Sequence, residues 1–146
     1  MERFLQAVSS SPANLQIPAS IGEVVDKITI LELKAARLGG ERLANVERER
    51  QLLVGCLEAA GLAVAHELFD TLRQINAKLW AIEDDIRALE AEQNFGPAFI
   101  ALARAVYITN DERAAVKRAI NARHSSVIVE EKLYANYASE PQLPER

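Results

Sequence analysis

The feature that most constrains the fold is a row of apolar residues spaced alternately by four and by three positions. The row consists of Leu68, Leu72, Ile75, Leu79, Ile82, Ile86 and Leu89. This spacing repeats every seven residues, so the side chains share one side of an α-helix and form a seam typical of coiled-coil packing. The row predicts a third helix over about residues 63–92, roughly 45 Å long at 1.5 Å per residue.

Three further helices are predicted from apolar spacing and from residues that begin or end helices. The first helix begins at Ser20, which has capping-box spacing to Glu23, and ends before the pair Gly39–Gly40. The second helix spans about residues 41–60. The fourth helix begins at Pro97, because proline is favoured in the first turn. The connections are short, so neighbouring helices should be antiparallel.

The fold class predicted from these helices is all-α: an elongated antiparallel bundle of about four main helices with a long, coiled-coil-like third helix. Residues 1–19 are expected to form an irregular N-terminal arm, with one helical turn near residues 3–8. The bundle domain is expected over residues 20–138, and residues 139–146 are expected to be a disordered tail. Residues 127–129 could form a short extended piece or a turn before a last helical segment.

The fourth helix carries polar residues where its apolar face is expected. Thr109 and Arg113 fall on that face, and Thr109 has capping-box spacing to Glu112. Two interpretations stay open, namely a break with a new helix starting at Asn110, and one continuous helix with a polar patch. Either interpretation indicates a polar interior or cleft.

Charge and composition exclude several classes of function. The net charge is −4, and a modestly basic stretch at residues 97–124 either pairs with acidic residues of the third helix or binds an anion. A nucleic-acid partner is not expected, because phosphate contacts need a broader cationic surface. No membrane span and no secretory signal are predicted. The single cysteine, Cys56, cannot form an internal disulfide, so we expect a cytoplasmic protein in a reducing compartment. We also expect the Cys56 side chain to be packed among apolar neighbours.

The polar residues that interrupt apolar faces are the candidate ligand-binding residues. Glu32 lies in the apolar arc of the first helix, so we expect Glu32 and Arg113, or residues close to them, to meet inside the bundle. A stripe beside the third-helix seam contains Trp80, and one face of the fourth helix carries two asparagines and a lysine. The full set is Glu32, Asn76, Trp80, Glu83, Arg87, Asn110, Arg113, Lys117 and Asn121. The alternatives are a structural ion pair and a packing aromatic flanked by solvated charges.

The sequence contains no complete catalytic motif. His66 and His124 have no metal-ligand spacing, so no metal site is expected. There is no glycine-rich phosphate loop and no Gly-x-Ser-x-Gly elbow, so no cofactor is expected and the catalytic residues, if any, are unknown.

Four segments resemble a bacterial family of small, functionally uncharacterised helical proteins. They are IGEVVDKITILELK, INAKLWAIEDDIRALE, FIALARAVYITNDERAAVKRAIN and VEEKLYANY. The resemblance implies a helical cytoplasmic protein and transfers no catalytic residue. A fainter likeness to the all-helical chorismate mutases lies in Arg73, Lys78, Asp84 and Arg87, although the leucine-rich run and following arginine of that family are absent.

Two functions are compatible with these observations. The first is a structural or protein-interaction module that forms a homodimer along the third helix, whose seam is longer than one small domain readily covers. The second is a small-molecule site, possibly enzymatic, in which Arg113 and Lys117 hold an anionic ligand while Glu32 or Glu83 handles a proton.

Overall fold

The computed structural model describes residues 13–137, which form four α-helices and, within that range, no strand. They are α1 (Ile21–Ala35), α2 (Gly40–Ala59), α3 (His66–Ala91) and α4 (Pro97–Arg123). The prediction of an all-α bundle with four main helices is confirmed. Residues 13–19 have no regular secondary structure. The helical turn expected near residues 3–8 and the tail expected at residues 139–146 lie outside the described residues.

The helix ends follow the capping signals, with shifts of a few residues. The Ser20 hydroxyl accepts a hydrogen bond from the Glu23 backbone N–H at 3.1 Å, as the capping-box spacing predicts. Gly40, with φ +60°, begins α2, and Gly61, with φ +68°, follows its end. Both glycines adopt the left-handed conformation that other residues avoid.

Helix α1 occupies the centre of the bundle. It packs against each of the other three helices, and α3 also packs against α4, whereas the backbone of α2 comes close to that of α1 alone among the four. Thr29 in α1 contacts Asn76 in α3, and Arg37, just after α1, contacts Trp80 further along α3. Helices α1 and α3 therefore run in the same direction.

Helices α1 and α4 run in opposite directions. Gly22 near the start of α1 contacts Asn121 near the end of α4, and Asp26, further along α1, contacts Arg113, which lies earlier in α4 than Asn121. Since α3 runs parallel to α1 and α4 runs antiparallel to it, the consecutive helices α3 and α4 run in opposite directions, as their short connection predicts.

The apolar core lies where α1, α3 and α4 meet. Val25, Leu72 and Ile120 supply one side chain from each of these helices, and each is 0% exposed. Leu57 of α2 packs against this cluster from outside. The outer face of α2 is left open, and the Cys56 side chain is exposed. The prediction that Cys56 is packed is therefore wrong.

The long third helix is covered within the chain over most of its length. All of its seam residues are buried or half-buried. Helix α4 has 27 residues and α3 has 26, so the two run side by side for about 40 Å. The length of α3 alone does not require a second copy of the chain to cover the seam.

Helix α4 continues through the polar stretch, which decides between the two open interpretations. The helix is unbroken from Pro97 to Arg123, and Thr109 is buried within it, with 1% of its surface exposed. No glycine or proline interrupts this stretch, so nothing in the backbone favours a break.

The chain after α4 turns back along that helix. We call residues 126–137 the C-terminal segment; they are described without helix or strand. Residues 127–129 adopt no regular secondary structure, and the last helical segment expected after them is not present as far as residue 137, so that expectation is wrong.

Candidate functional site

A buried carboxylate from α1 and an arginine from α4 form the centre of the polar interior. Arg113 Nε donates to Asp26 Oδ1 at 2.8 Å, and Arg113 Nη2 donates to Asp26 Oδ2. The Asp26 side chain is 1% exposed and the Arg113 side chain is 27% exposed. The two parallel hydrogen bonds fix the guanidinium plane and leave one edge of it towards solvent.

Two polar side chains complete the surroundings of Asp26. Asn76 Nδ2 donates to Asp26 Oδ1 at 2.9 Å and to Thr29 Oγ1 at 2.8 Å. The Thr29 hydroxyl donates to the Asp26 backbone carbonyl at 2.7 Å. Within residues 13–137, no buried side-chain nitrogen or oxygen lacks a hydrogen-bond partner. The network is therefore satisfied, as a buried polar cluster must be to remain stable.

The charges of this pair are mutually stabilised. Burial favours neutral Asp26, but hydrogen bonds from Arg113 and Asn76, together with the positive charges of Arg113 and Lys117, outweigh burial. They hold the pKa of Asp26 below its ordinary value of 3.8. The hydrogen bond with Asp26 likewise outweighs burial of the guanidinium and raises the pKa of Arg113. Both groups are charged at neutral pH.

The expectation that Arg113 meets a carboxylate of α1 holds, but the direct partner is Asp26 and not Glu32. Glu32 accepts a hydrogen bond from Arg73 Nε at 2.8 Å, and both side chains are partly exposed. Glu32 lies six residues after Asp26, which places it about 9 Å further along α1 and about 120° around it. At that position its side chain reaches α3 instead of α4.

A second polar cluster joins the start of α1 to the end of α4. The Gly22 backbone N–H donates to Asn121 Oδ1 at 2.7 Å. Lys117 pairs with Glu23 and, at 3.5 Å, with Glu130 of the C-terminal segment. Lys117 and Asn121 therefore join the start of α1, the end of α4 and the C-terminal segment.

Glu130 is held by a third partner in the same cluster. The Ser20 hydroxyl donates to Glu130 Oε1 at 2.6 Å. This hydrogen bond is the main reason that the pKa of Glu130 lies below its ordinary value, and Lys117 adds to the effect. The hydroxyl that caps α1 thus also fastens the C-terminal segment.

The structure brings most of the predicted third-helix stripe to one open groove, which we call the Trp80 groove. Its volume is about 340 Å³. The lining residues are Ile30 and Leu33 from α1, Asn76, Leu79, Trp80, Glu83, Asp84 and Arg87 from α3, and Arg113 from α4. Five of the nine candidate residues line this groove: Asn76, Trp80, Glu83, Arg87 and Arg113. Arg113 of α4 joins the stripe at this groove, whereas Asn110, Lys117 and Asn121, which share another face of α4, do not line it.

The remaining candidates lie elsewhere. Asn110 accepts a hydrogen bond from Arg113 Nη1 at 3.4 Å and lines a different groove, of about 600 Å³, between α4 and the C-terminal segment. Glu32, Lys117 and Asn121 make the contacts between elements described above.

Several important residues were not among the candidates. Asp26 and Thr29 anchor Arg113 and Asn76, and Arg37 lies over the Trp80 ring, 4.8 Å from its centroid. The sequence carries a signal for Asp26 and Thr29, because both follow Gly22 at helical spacing on one side of α1. A glycine inside a helix often marks a close approach to a neighbour. Arg37 gave no such signal.

Residues 13–137 lack two kinds of feature. No group of three or more His, Cys, Asp or Glu side chains there is arranged to hold a metal ion. No helix in that range is both long and apolar enough to cross a membrane.

Comparison with curated proteins and with solved structures gave no significant match. A family model does match, over residues 15–144, and it covers every segment on which the sequence resemblance rests. The chain therefore belongs to DUF6165, a family of unknown function.

Proposed function

We propose that the protein binds a small polar molecule of balanced charge in the Trp80 groove. The observation that carries this proposal is the lining of the groove: the indole of Trp80 is surrounded by two acidic and two basic side chains. They are Glu83, Asp84, Arg87 and Arg113. An aromatic surface beside fixed donors and acceptors, within about 300–1,000 Å³, is typical of small-molecule sites.

The state of Arg113 supports a ligand that accepts hydrogen bonds. Its guanidinium is held in one orientation by Asp26, so its solvent-facing edge is a fixed donor that needs little reordering when a ligand binds. Asn110 occupies that edge only at 3.4 Å. A ligand oxygen could replace this long contact.

The balance of charge decides the ligand class. Arg87 lies 3.5 Å from Glu83, and Arg113 is neutralised by Asp26. A ligand of high negative charge would have to compete with both carboxylates. A zwitterion, or an uncharged polyhydroxy compound carrying a ring, could instead bind to both the acidic and the basic side chains while its apolar part packs on Trp80.

The test uses the fluorescence of the protein, since Trp80 is the only tryptophan in the chain. We would titrate zwitterionic amino acids, nucleosides and sugars, and follow emission together with thermal unfolding. A ligand at 100 times its dissociation constant should stabilise the fold by about 2.7 kcal/mol. The variant Arg87→Gln should weaken binding, while Arg104→Gln, on the exposed side of α4, should not. No change in emission or unfolding with any of these compounds would reject the proposal.

A second candidate function, self-association, is favoured by the far end of the α3–α4 pair. We call residues 86–106 the hairpin end. Helix α1 has 15 residues, and Arg37, just beyond it, reaches Trp80, so α1 accompanies α3 for only about 22 Å of its length. Beyond that point α3 and α4 pair without α1.

The apolar side chains of the hairpin end are incompletely covered. Ile86, Leu89 and Phe99 are half-buried, and Ile100 is 56% exposed. A second hairpin end packed by a twofold axis would complete a four-helix arrangement and cover these residues. The occupant we propose is therefore a second copy of this chain.

Sedimentation velocity tests this candidate. We expect a dimer at micromolar concentrations, and Ile100→Glu should shift it to monomer. Leu52→Glu is the matched control, because Leu52 lies on α2 and is similarly exposed, at 49%. A wild-type monomer at high micromolar concentration would exclude self-association.

Cellular location belongs to the same proposal. We expect the protein to act in a reducing compartment such as the cytoplasm. Cys56 is exposed and is the single cysteine of the chain, and an accessible unpaired thiol persists most readily under reducing conditions.

A further inference from the structure

The C-terminal segment is fastened to the bundle near its two ends. Glu130 is bound by Ser20 and Lys117, as described above. At the other end, the ring of Tyr137 packs edge-on against Tyr107 with 5.1 Å between centroids, and Asp111 raises the pKa of the Tyr137 hydroxyl. Between these points the segment passes over α4 with its side chains largely exposed.

A groove of about 390 Å³ lies between α4 and this part of the segment. We call it the Arg118 groove. Ala114 and Ala115 contribute small side chains from α4, and the rings of Tyr134 and Tyr137 line it from the segment. Small side chains on one wall and aromatic rings on the other leave space for a flat apolar group.

Two cations line the same groove without a carboxylate partner. Arg118 comes from α4 and Lys132 comes from the segment. No salt bridge to either side chain is present within residues 13–137, whereas Arg113 and Lys117 on the same helix are both paired. Lys132 lies over the Tyr134 ring at 5.5 Å from its centroid.

The one carboxylate in the groove is already engaged. The interaction of Asp111 with the Tyr137 hydroxyl is the main cause that raises the pKa of Tyr137. Asp111 is therefore coupled to Tyr137 at the end of the segment. The lining of the groove has two cations for one anion, in contrast to the balanced Trp80 groove.

We propose that the Arg118 groove is a second binding site, for a small molecule that carries an anionic group on a flat, apolar body. Arg118 and Lys132 bind the phosphate or carboxylate, because a guanidinium fork and an ammonium both donate strongly to such oxygens. The flat body packs between Ala115 and the ring of Tyr134. This site does not depend on the Trp80 groove, because the two grooves share no lining residue.

Binding studies with three simple probes test the proposal. Phenyl phosphate carries both parts of the ligand, benzoate carries a ring with a carboxylate, and inorganic phosphate carries the anion alone. We expect calorimetric titration to show tighter binding of phenyl phosphate or benzoate than of inorganic phosphate. Preference for phenyl phosphate or for benzoate identifies the anionic group as phosphate or carboxylate.

Variants separate a built site from general charge attraction. Arg118→Gln and Lys132→Gln should each weaken binding of the preferred probe by about tenfold, as expected for loss of one charge-assisted contact. Arg104→Gln removes an equal charge from the same helix outside the groove, and Arg87→Gln alters only the Trp80 groove. Neither should change the affinity.

Two results would overturn the proposal. One is the absence of measurable binding by all three probes. The other is an equal loss of affinity in Arg104→Gln and Arg118→Gln, which would show attraction to the basic face of α4 as a whole. If Arg87→Gln leaves ligand binding in the Trp80 groove unchanged, that result contradicts the function proposed for the Trp80 groove and does not affect the proposal for the Arg118 groove.

Discussion

At the scale of single residues, the arrangement depends on a carboxylate with almost no access to water. Replacing Arg113 with Ala leaves the Asp26 carboxylate, which is 1% exposed, without its main counter-charge. We expect the free energy of unfolding, measured in urea, to fall by about 3–5 kcal/mol. Arg73→Ala is the control, because the Arg73–Glu32 pair is partly exposed, and its loss should cost about 1 kcal/mol or less.

A double-mutant cycle identifies the partner of Arg113. Replacing Asp26 with Leu and Arg113 with Met together should restore much of the lost stability, since apolar residues often substitute well for a buried pair. The coupling energy between these positions should exceed about 0.5 kcal/mol, and the coupling between Arg113 and Glu32 should stay below that value. The reverse order of couplings would contradict the geometry.

The same pair makes stability depend on pH in a defined direction. Because the folded-state pKa of Asp26 lies below 3.8, folding favours the charged form, and the unfolded chain takes up the proton first as pH falls. The contribution is fully present above the ordinary pKa and is lost below it, as pH falls through the folded-state pKa. The difference in unfolding free energy between wild type and Asp26→Asn should therefore shrink below about pH 4. A difference that stays constant from neutral pH down to about pH 3 would show that Asp26 is not stabilised as a carboxylate.

The sequence identified several of these residues but not their pairing. Arg113 was recognisable because it interrupts the apolar face of α4, and Asn76 because it lies in the stripe beside the third-helix seam. A helical wheel gives the direction of a side chain around its axis, but it does not give the level at which two helices meet. That level is set by the contact of Gly22 with Asn121, and it selects Asp26 instead of Glu32 as the partner of Arg113.

At the scale of helices, the approach of α1 to α4 depends on one glycine. A Cβ atom at Gly22 would lie 2.6 Å from the Lys117 backbone carbonyl oxygen, which is backbone and cannot turn aside. Alanine favours a helix over glycine by about 1 kcal/mol, but here the clash should dominate. We expect Gly22→Ala to destabilise the protein by about 1–3 kcal/mol, measured by urea unfolding.

Gly55 provides a matched control within α2. A Cβ atom there has no neighbour within 4 Å, so Gly55→Ala should stabilise the protein by about 0.5–1 kcal/mol through helix propensity alone. Stabilisation by both substitutions would mean that α1 and α4 are further apart than the structure shows.

The helices themselves were largely predictable, for reasons that differ between elements. The seam of α3 and the cap at Ser20 are local patterns, so the sequence alone places them. The continuity of α4 was not predictable, because Thr109 and Glu112 have the spacing of a helix start. Thr109 is instead buried in mid-helix, one turn before Arg113. Packing between helices decided a question that local spacing left open.

At the scale of the whole molecule, coverage is uneven along the α3–α4 pair. Near Leu72 the pair is joined by α1, and Leu72 is 0% exposed. At the hairpin end α3 and α4 pair beyond the end of α1, and Ile100 is 56% exposed. The part that holds the Asp26–Arg113 network should therefore be the last to open, because local opening follows the number of buried apolar contacts.

Hydrogen exchange measures this gradient directly. Amides of residues 86–91 and 97–104 should exchange faster than amides of residues 72–80, because two paired helices bury less apolar surface than three. If a second copy covers the hairpin end, protection there should rise with protein concentration, while protection of residues 72–80 stays unchanged. Ile100→Glu should remove this concentration dependence, and Leu52→Glu should keep it. Uniform protection along α3 at every concentration would contradict both the gradient and the dimer, because the hairpin end would then be as stable as the core without a partner.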